Sequence, residues 1–232
     1  MAEKSRISPE WIERAWKQNP PKVLDGGNIL FGPVRLAFVN LLERPKPGAD
    51  GKERAYGAVL LVPAQGDLTL LKKAATDLFR EKAPMALTNK AIAAKYNNPF
   101  KDQGGYVDKQ SGALYDGFIE GRIAISANSS QSKPPVVDPN NAPIIDKARC
   151  YSGCWAYVAV APRWFKVEGN EGPTFYLQSV MIVADDENLG GVGAANPSRD
   201  FAGLKVEPLL DSTSLFEETA AQAFGDEVDL FS

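Results

Sequence analysis

The sequence predicts a mainly β protein: a five-stranded Greek-key barrel with an amphipathic helix, an N-terminal helical extension and a disordered acidic C-terminal tail. Three observations predict this architecture. Five segments rich in Val, Ile, Leu and aromatic residues are separated by turns that contain Gly, Pro, Asn and Asp. One stretch between them repeats apolar residues at helical spacing. Residues 206–232 contain acidic residues but no Lys or Arg.

The five apolar segments are interpreted as strands because they are rich in β-branched and aromatic residues. The predicted strands span residues 28–42, 54–62, 114–127, 149–162 and 174–184. A long loop of Pro, Asn and Ser residues, 128–143, separates the third strand from the fourth. Small apolar side chains alternate along the fourth strand, and they suit the interior of a narrow barrel.

Two helices accompany the strands. Residues 8–18 carry a helix-start signature, because Ser8 can cap the helix and Pro9 suits its first turn. Residues 67–82, between the second and third strands, repeat apolar side chains at helical spacing and predict an amphipathic helix. We therefore divide the chain into three parts. They are an N-terminal helical extension over 1–24, a barrel domain over 25–205 and an acidic tail over 206–232.

The residue composition argues against an enzyme. The chain contains no histidine, which excludes Ser–His and Cys–His nucleophilic catalysis and histidine-ligated metals. The two cysteines, Cys150 and Cys154, are interpreted as small buried apolar residues. The acidic run 185–187 is interpreted as a solvated strand exit, not as part of a two-metal nuclease site. We expect no cofactor and no metal.

The same sequence argues against a membrane protein. No stretch approaches the roughly 20 apolar residues that a helix needs to span a bilayer. The N-terminal residues are polar and lack a hydrophobic signal region. We therefore expect a protein of the cytosol that makes no contact with a membrane.

Charge is distributed unevenly along the chain. The formal net charge is −3, but residues 206–232 hold seven of the 29 acidic residues. The remaining 22 acidic residues stand against 26 basic residues, so residues 1–205 carry a net charge of +4. A mildly basic body with an acidic tail is compatible with a polyanionic ligand.

The tail also carries apolar residues at intervals, namely Leu215, Phe216, Phe224, Leu230 and Phe231. Such a segment can occupy a basic groove as a weak mimic of DNA, or dock on a basic, apolar pocket of a partner. We expect its end to contact a protein partner, through Asp226, Glu227, Asp229 and Phe231. The alternative is a solvated tail without a binding role.

Aromatic and basic residues on the third and fourth strands indicate a binding surface. In the fourth strand, Tyr151, Trp155 and Tyr157 alternate with small residues and are expected to face outward. Cations that follow the phosphates, with rings that stack on unpaired bases, are the combination that holds single-stranded nucleic acid. The candidate DNA-binding residues are Trp155, Tyr157, Tyr151, Phe118, Arg122, Arg149, Arg163, Lys166, Arg35 and Arg54. The alternative is that the aromatic residues pack under a loop or the N-terminal helix.

Several segments resemble the single-stranded DNA-binding proteins of phages that have an OB fold. The resemblance covers roughly residues 25–205. It rests on the runs 56–63, 151–157 and 177–183, together with Gly190-Gly191 and Asp200-Phe201. One departure from the usual OB arrangement is the position of the main helix, which falls between the second and third strands.

The resemblance implies an OB fold and a role in coating single-stranded DNA during replication, recombination and repair. It also implies an acidic tail that contacts phage or host replication proteins, in the cytoplasm of an infected bacterium. A protein-interaction or structural virion module is the alternative from another class. In that case the outward aromatic residues would be buried against another subunit.

Overall fold

The computed structural model describes residues 5–47, 51, 53–129, 132–167 and 169–190. The tail predicted over 206–232, with Asp226, Glu227, Asp229 and Phe231, lies outside these residues. The described residues form the helices α1 Pro9–Gln18, α2 Thr69–Lys82 and α3 Lys90–Ala93, and the strands β1 Lys22–Val23, β2 Ile29–Asn40, β3 Tyr56–Leu61, β4 Lys101–Asp102, β5 Ile123–Ser129, β6 Val136–Val137, β7 Trp155–Val167 and β8 Asn170–Ala184. In this part of the chain, no helix is both long enough and apolar enough to span a membrane.

Five strands close into a barrel in the order β2, β3, β5, β8, β7 and back to β2. All neighbours in this circuit are antiparallel except β5 and β8, which run parallel. The parallel pair joins Ala127 to Phe175 and Asn128 to Tyr176, and it closes the barrel. A five-stranded Greek-key barrel of this kind is an OB fold, and the predicted fold class is confirmed.

Alternating side chains fill the barrel and build a second apolar layer outside it. The barrel interior is lined by residues such as Leu36, Leu60, Ile125, Val158 and Leu177. The opposite sides of β2, β3 and β5 carry a separate apolar cluster that contains Ala37, Val59, Leu61, Phe118 and Ala124. Strands buried on both sides read as continuous apolar runs, which explains the high apolar content of β2 and β3.

Both predicted helices are present, and each covers part of the barrel. The Ser8 hydroxyl accepts a hydrogen bond from the Trp11 N–H at the start of α1, as its capping role predicts. The indole of Trp16 donates to the Pro33 carbonyl at 3.0 Å and fixes α1 against β2. Along the chain, helix α2 follows β3 and precedes β5, and it packs on β7 and β8. The expected departure from the usual OB helix position is therefore confirmed.

The strand bounds differ from the prediction in two places. The third predicted strand begins only at Ile123, because residues 114–122 form turns in which Gly117 and Gly121 have φ values of 80° and 79°. Glycine adopts this left-handed backbone without a steric penalty. The fourth strand begins six residues later than predicted and ends five residues later, and the fifth begins four residues earlier, so β7 and β8 form a hairpin that passes beyond the barrel. Apolar content alone does not separate a strand from an ordered apolar turn.

A buried carboxylate joins four separate parts of the chain. Asp186, just after β8, lies 3.4 Å from the Arg35 guanidinium on β2, and both side chains are almost completely buried. It accepts hydrogen bonds from the Trp155 indole at 2.8 Å and from the Arg6 N–H at 2.7 Å, and also from Ser5. Burial raises the pKa of the Asp186 carboxyl, but these hydrogen bonds outweigh it and hold the pKa below 3.8. The acidic run 185–187 is thus partly structural, which corrects its interpretation as a solvated exit.

We expect Asp186→Ala to reduce the free energy of unfolding by about 3–5 kcal/mol, because it removes the buried carboxylate that pairs with the Arg35 guanidinium. Urea denaturation at pH 7 measures the change. Asp185→Ala is the matched control, because Asp185 is a neighbouring but exposed carboxylate, and it should change stability by about 0.5 kcal/mol or less. Since the folded-state pKa of Asp186 is lowered, its contribution is present above pH 3.8 and lost as pH falls further. Equal effects of the two variants would contradict this assignment.

Candidate nucleic-acid interface

Trp155 does not face solvent. Its side chain is only 1% exposed, its indole N–H is bound to Asp186, and its ring meets Trp11 edge-on at 6.4 Å. The prediction of an outward stacking surface is therefore wrong for this residue. The alternation in β7 correctly separates two faces, but the outer one is covered by the N-terminal residues. Trp155 consequently stabilises the fold and offers no ring to a ligand.

Phe118 is also buried, at 6% exposed, and it does not lie on a strand. It belongs to residues 103–121, which we call the flap because they fold over the outer sides of β2, β3 and β5. Gln103 fixes both ends of the flap: its amide oxygen accepts from the Ile119 N–H and its amide nitrogen donates to the Ile123 carbonyl, each at 2.9 Å. Phe118 anchors the flap from below, so its predicted exposure on a strand is wrong.

Tyr157 and Tyr151 are half-buried and held by hydrogen bonds. The Tyr157 hydroxyl accepts from the Asn19 amide at 3.0 Å and donates to the Ala15 carbonyl at 3.3 Å, beneath the end of α1. The Tyr151 hydroxyl donates to the backbone carbonyl of Asp186 at 2.9 Å. Burial raises the pKa of both hydroxyl groups. The position of Tyr157 matches the alternative of packing under the N-terminal helix.

The predicted cations separate into two groups. Arg35 is 1% exposed, and it donates to the Gly153 carbonyl at 3.2 Å in addition to its ion pair with Asp186. Its predicted contact with DNA is wrong, because the side chain is used inside the fold. Arg122 is half-buried beside the same site, where it lines a small cavity with Arg35.

The other four predicted cations are exposed: Arg54, Arg149, Arg163 and Lys166. Arg149 lies on a turn before β7, 3.5 Å from the Asp138 carboxylate. Lys166 lies 3.3 Å from the Glu171 carboxylate across the hairpin. Arg163 donates to the Pro162 carbonyl at 3.2 Å and projects from β7 beyond the barrel. These four residues remain predictions, and they do not converge with Trp155, Tyr157 and Phe118.

The structure brings a different set of residues together on the outer sides of β5 and β8. Ile125 and Ala127 point into the barrel, so Ser126 and Asn128 point outward, and both are exposed. On β8, Phe175 and Leu177 point inward, so Tyr176 points outward beside Asn128 and is 39% exposed. We call this surface the outer face, and its exposed residues are Ser126, Asn128, Tyr176 and Gln178.

The middle of the outer face has no large side chain on β3, because β3 carries a glycine where it pairs with Asn128 of β5. Gly57 on β3 pairs with Asn128, and a Cβ atom at Gly57 would lie 2.2 Å from the Asn128 amide oxygen. Any larger residue would therefore displace the Asn128 side chain. Small and polar side chains in this position leave a shallow surface between the flap and the hairpin.

Half-buried aromatic rings form one edge of the outer face. Phe38 packs against the flap rings of Tyr106, Tyr115 and Phe118 at centroid distances of 6.4, 5.1 and 5.6 Å. Tyr106 and Phe118 stack at 4.8 Å, and the Tyr106 hydroxyl lies 3.4 Å from that of Ser126. Phe38 has a φ of 49°, an uncommon conformation for a bulky residue, at an irregularity in the pairing of β2 with β3. Backbone strain of this kind is often retained at functional sites.

Basic residues lie beside this surface. Lys101 on β4 pairs with Ala124, whose side chain lies in the outer apolar cluster, so Lys101 is on the same side of the sheet as Ser126. Arg163 on β7 pairs with Thr174, two residues before Tyr176, so Arg163 and Tyr176 share one side of the hairpin. Since β4 and β8 both pair with the edge of β5 that β3 leaves open, these two cations lie at the same edge of the outer face. Arg44 lies over the ring of Tyr56 at 5.1 Å, in the connection between β2 and β3. Rings and cations therefore border an open, polar surface.

Sequence reasoning missed the residues that the outer face uses. Sequence alternation could have predicted that Tyr176 is exposed, because Tyr176 and Gln178 alternate with Phe175 and Leu177 in the fifth predicted strand. Tyr106 gave no usable signal, since it lies in a segment without periodicity. The role of Phe38 depends on a local irregularity of β2 that apolar periodicity does not reveal.

The thiols take no part in this surface. Both cysteines are buried, as predicted, and neither forms a disulfide. Burial raises the pKa of Cys150 to about 11 and that of Cys154 to about 12, so neither thiol is an effective nucleophile near neutral pH. Within the described residues, no cluster of acidic residues and cysteines is arranged to hold a metal ion.

Comparison with known proteins points to one family. The sequence profile of the family described as "Enterobacter phage Enc34, ssDNA-binding protein" matches residues 27–208 of this chain. That match includes the whole barrel and the outer face. No curated protein sequence matches the chain.

Solved structures share the fold. A single-stranded DNA-binding protein from bacteriophage Enc34, in complex with ssDNA, is 24% identical over 73% of this chain and 93% of its own, with a TM-score of 0.54. Another structure of a single-stranded DNA-binding protein from that phage is 20% identical over 78% of this chain and 93% of its own, with a TM-score of 0.51. At these identities the likeness demonstrates a common fold.

Proposed function

This chain belongs to the single-stranded DNA-binding protein family of Enterobacter phage Enc34, and from that premise we propose that it binds and coats single-stranded DNA without sequence specificity. The family is a class of binding proteins, not of enzymes. We place its activity in phage DNA replication, recombination and repair, in the cytoplasm of the infected host. The observation that carries the proposal is the open outer face, with aromatic rings and cations at its edges.

The position of the outer face on the barrel supports this role. In OB folds, oligonucleotides bind to the side of the second and third barrel strands and to the loops beside it. Here those strands are β3 and β5, and the flanking connections are those between β2 and β3 and between β7 and β8. Phe38, Tyr106 and Tyr176 are the rings we assign to base stacking.

The chemistry of the face accounts for the lack of sequence specificity. Aromatic rings stack on any base, because every base has a π-face, and cations bind phosphates that are common to all sequences. Arg163 and Lys101 flank the rings and are assigned to the phosphates. Ser126 and Asn128 offer polar groups to the sugar and base edges between them.

The alternative of a structural or protein-interaction module is less well supported. It was motivated by outward aromatic residues that would be buried against another subunit. Trp155 and Phe118, which carried that argument, are already buried within this chain. The rings that remain half-exposed border a polar surface, whereas an obligate protein interface is mostly apolar at its centre.

We assign the acidic tail over 206–232 two roles. It reduces DNA binding by competing for the basic outer face, and it recruits phage or host replication proteins through Asp226, Glu227, Asp229 and Phe231. The charge of the tail supports the first role, since it carries seven acidic residues and no basic ones. Its Leu and Phe residues support the second, because they supply apolar anchors to a partner.

We expect Tyr106→Ala and Tyr176→Ala each to weaken binding to a dT oligomer by about 5- to 150-fold, because each removes a stacking contact of about 1–3 kcal/mol. Fluorescence anisotropy measures the affinity. Val107→Ala and Val23→Ala are the controls, since both side chains are exposed but neither belongs to the outer face, and both variants should leave the affinity unchanged. Unchanged affinity in both tyrosine variants, with the fold intact, would contradict this location of the site.

We expect Arg163→Gln to make the dependence of binding on salt shallower. Each phosphate neutralised on a single strand adds about −0.7 to the slope of log affinity against log salt concentration, so losing one contact should reduce the slope by about 0.7. Titrations with poly-dT at several NaCl concentrations measure it. Lys17→Gln is the control, because Lys17 is exposed on α1 and paired with Glu13. An identical slope in wild type and Arg163→Gln would exclude Arg163 from the phosphate path.

We expect deletion of residues 206–232 to tighten binding to single-stranded DNA, because it removes a competing polyanion. The gain should be largest at low salt, where the tail is least screened. Affinities of the full and truncated chains at two salt concentrations provide the test. Unchanged or weaker binding after truncation would remove the competitor role of the tail.

A further inference from the structure

An exposed apolar surface, separate from the polar outer face, lies on the connection between α2 and α3. Met85 is 68% exposed and Leu87 is 44% exposed. Both lie on the short turn Pro84–Leu87, between the two helices. We call this surface the α2–α3 patch. Single exposed apolar residues are common, but exposed apolar residues that are grouped together mark interaction surfaces.

The α2–α3 patch is bordered by basic residues. Residues 80–95 contain four bases, Arg80, Lys82, Lys90 and Lys95, against the single acidic residue Glu81. All four basic residues are exposed. Arg80 and Lys82 are paired with Asp77 and Glu81 on α2. An apolar centre with a basic border selects a partner that is acidic and carries apolar anchors.

The elements that carry the patch pack on the side of the hairpin that faces away from Arg163. Phe79 on α2 meets the Trp164 ring at 5.4 Å, and Tyr96, just after α3, meets it at 5.5 Å. Trp164 and Arg163 are consecutive on β7, so their side chains point to opposite sides of the strand. A ligand on the α2–α3 patch therefore does not need the surface that we assign to DNA.

The chain contains one segment with the chemistry that this patch selects. Residues 206–232 combine seven acidic residues with seven Leu and Phe residues, and contain no base. We propose that the α2–α3 patch binds the acidic C-terminal segment of a second copy of this chain. The inference rests on the proposed function in one respect, because copies that coat a DNA strand lie side by side. The acidic segment of one copy is then next to the α2–α3 patch of its neighbour.

This contact would link neighbouring copies while DNA is bound. A tail that only competes for the outer face is released when DNA arrives and then has no place on the protein. A tail docked on the patch of a neighbour instead contributes to the assembly of adjacent copies, because the two surfaces are used together. Binding along the strand then becomes cooperative through a contact that involves no DNA.

The test uses the full chain with a benzophenone amino acid in place of Phe224. Copies labelled with ¹⁴N and ¹⁵N are mixed, irradiated with and without dT oligomer, and analysed by mass spectrometry. We expect cross-links from the segment of one copy to residues 80–95 of the other, retained when dT is present. Cross-links confined to one copy, cross-links to the outer face without any to residues 80–95, or no cross-links would each overturn the proposal.

Two variants make the test specific. Met85→Asp with Leu87→Asp should lower the yield of cross-links between copies about fivefold or more, because it places charge in the apolar centre of the patch. Lys82→Glu with Lys90→Glu should do the same without altering apolar residues. Val23→Asp is the control, since Val23 is 59% exposed elsewhere and should leave the yield unchanged.

The affinity of a single copy for a short dT oligomer separates this proposal from the proposed function. Both pairs of substitutions should leave that affinity unchanged, because neither lies on the outer face. If both pairs leave the cross-link yield unchanged, the patch is not the docking site, even when DNA binding is normal. If the chain does not bind dT at all, the proposed function fails, and the cross-links still report on the patch.

Discussion

The Asp186 carboxylate lies where the chain leaves the barrel, and four segments depend on it. It pairs with Arg35 on β2, accepts from Trp155 on β7, and holds the backbone just before α1. A buried ion pair contributes little net stability by itself, but it strongly penalises any arrangement that separates its partners. It therefore specifies how the ends of the barrel domain meet, and it closes the outer sides of β2 and β7 to ligands.

The consequences of that closure extend to the opposite flank of the barrel. The Trp155 ring on β7 is buried, so the rings available to a ligand are those of the flap and of β8. In the short pairing of β5 with β8, Asn128 is the direct partner of Tyr176, so the two side chains lie next to each other on the outer side. Phe38 reaches the flap rings only because β2 is irregular at that point.

Membership of the family comes from the sequence profile over residues 27–208, and the solved structures from phage Enc34 add a shared fold at 20–24% identity. At such identity the barrel persists, because a barrel core needs only apolar residues of suitable volume.

The sequence by itself determined the mainly β class, the order of strands and helices, the capped N-terminal helix and the burial of the cysteines. These features follow from local periodicity, turn residues and capping, which act over a few neighbouring residues. The tertiary structure alone decided which side of each strand meets solvent. Alternation places Trp155 and Tyr157 on one side of the strand and Ala156 and Val158 on the other. It does not predict which parts of the chain cover each side. Only the folded chain brings α1, the flap and Asp186 over one flank and leaves the other open, because those contacts join residues far apart in the sequence.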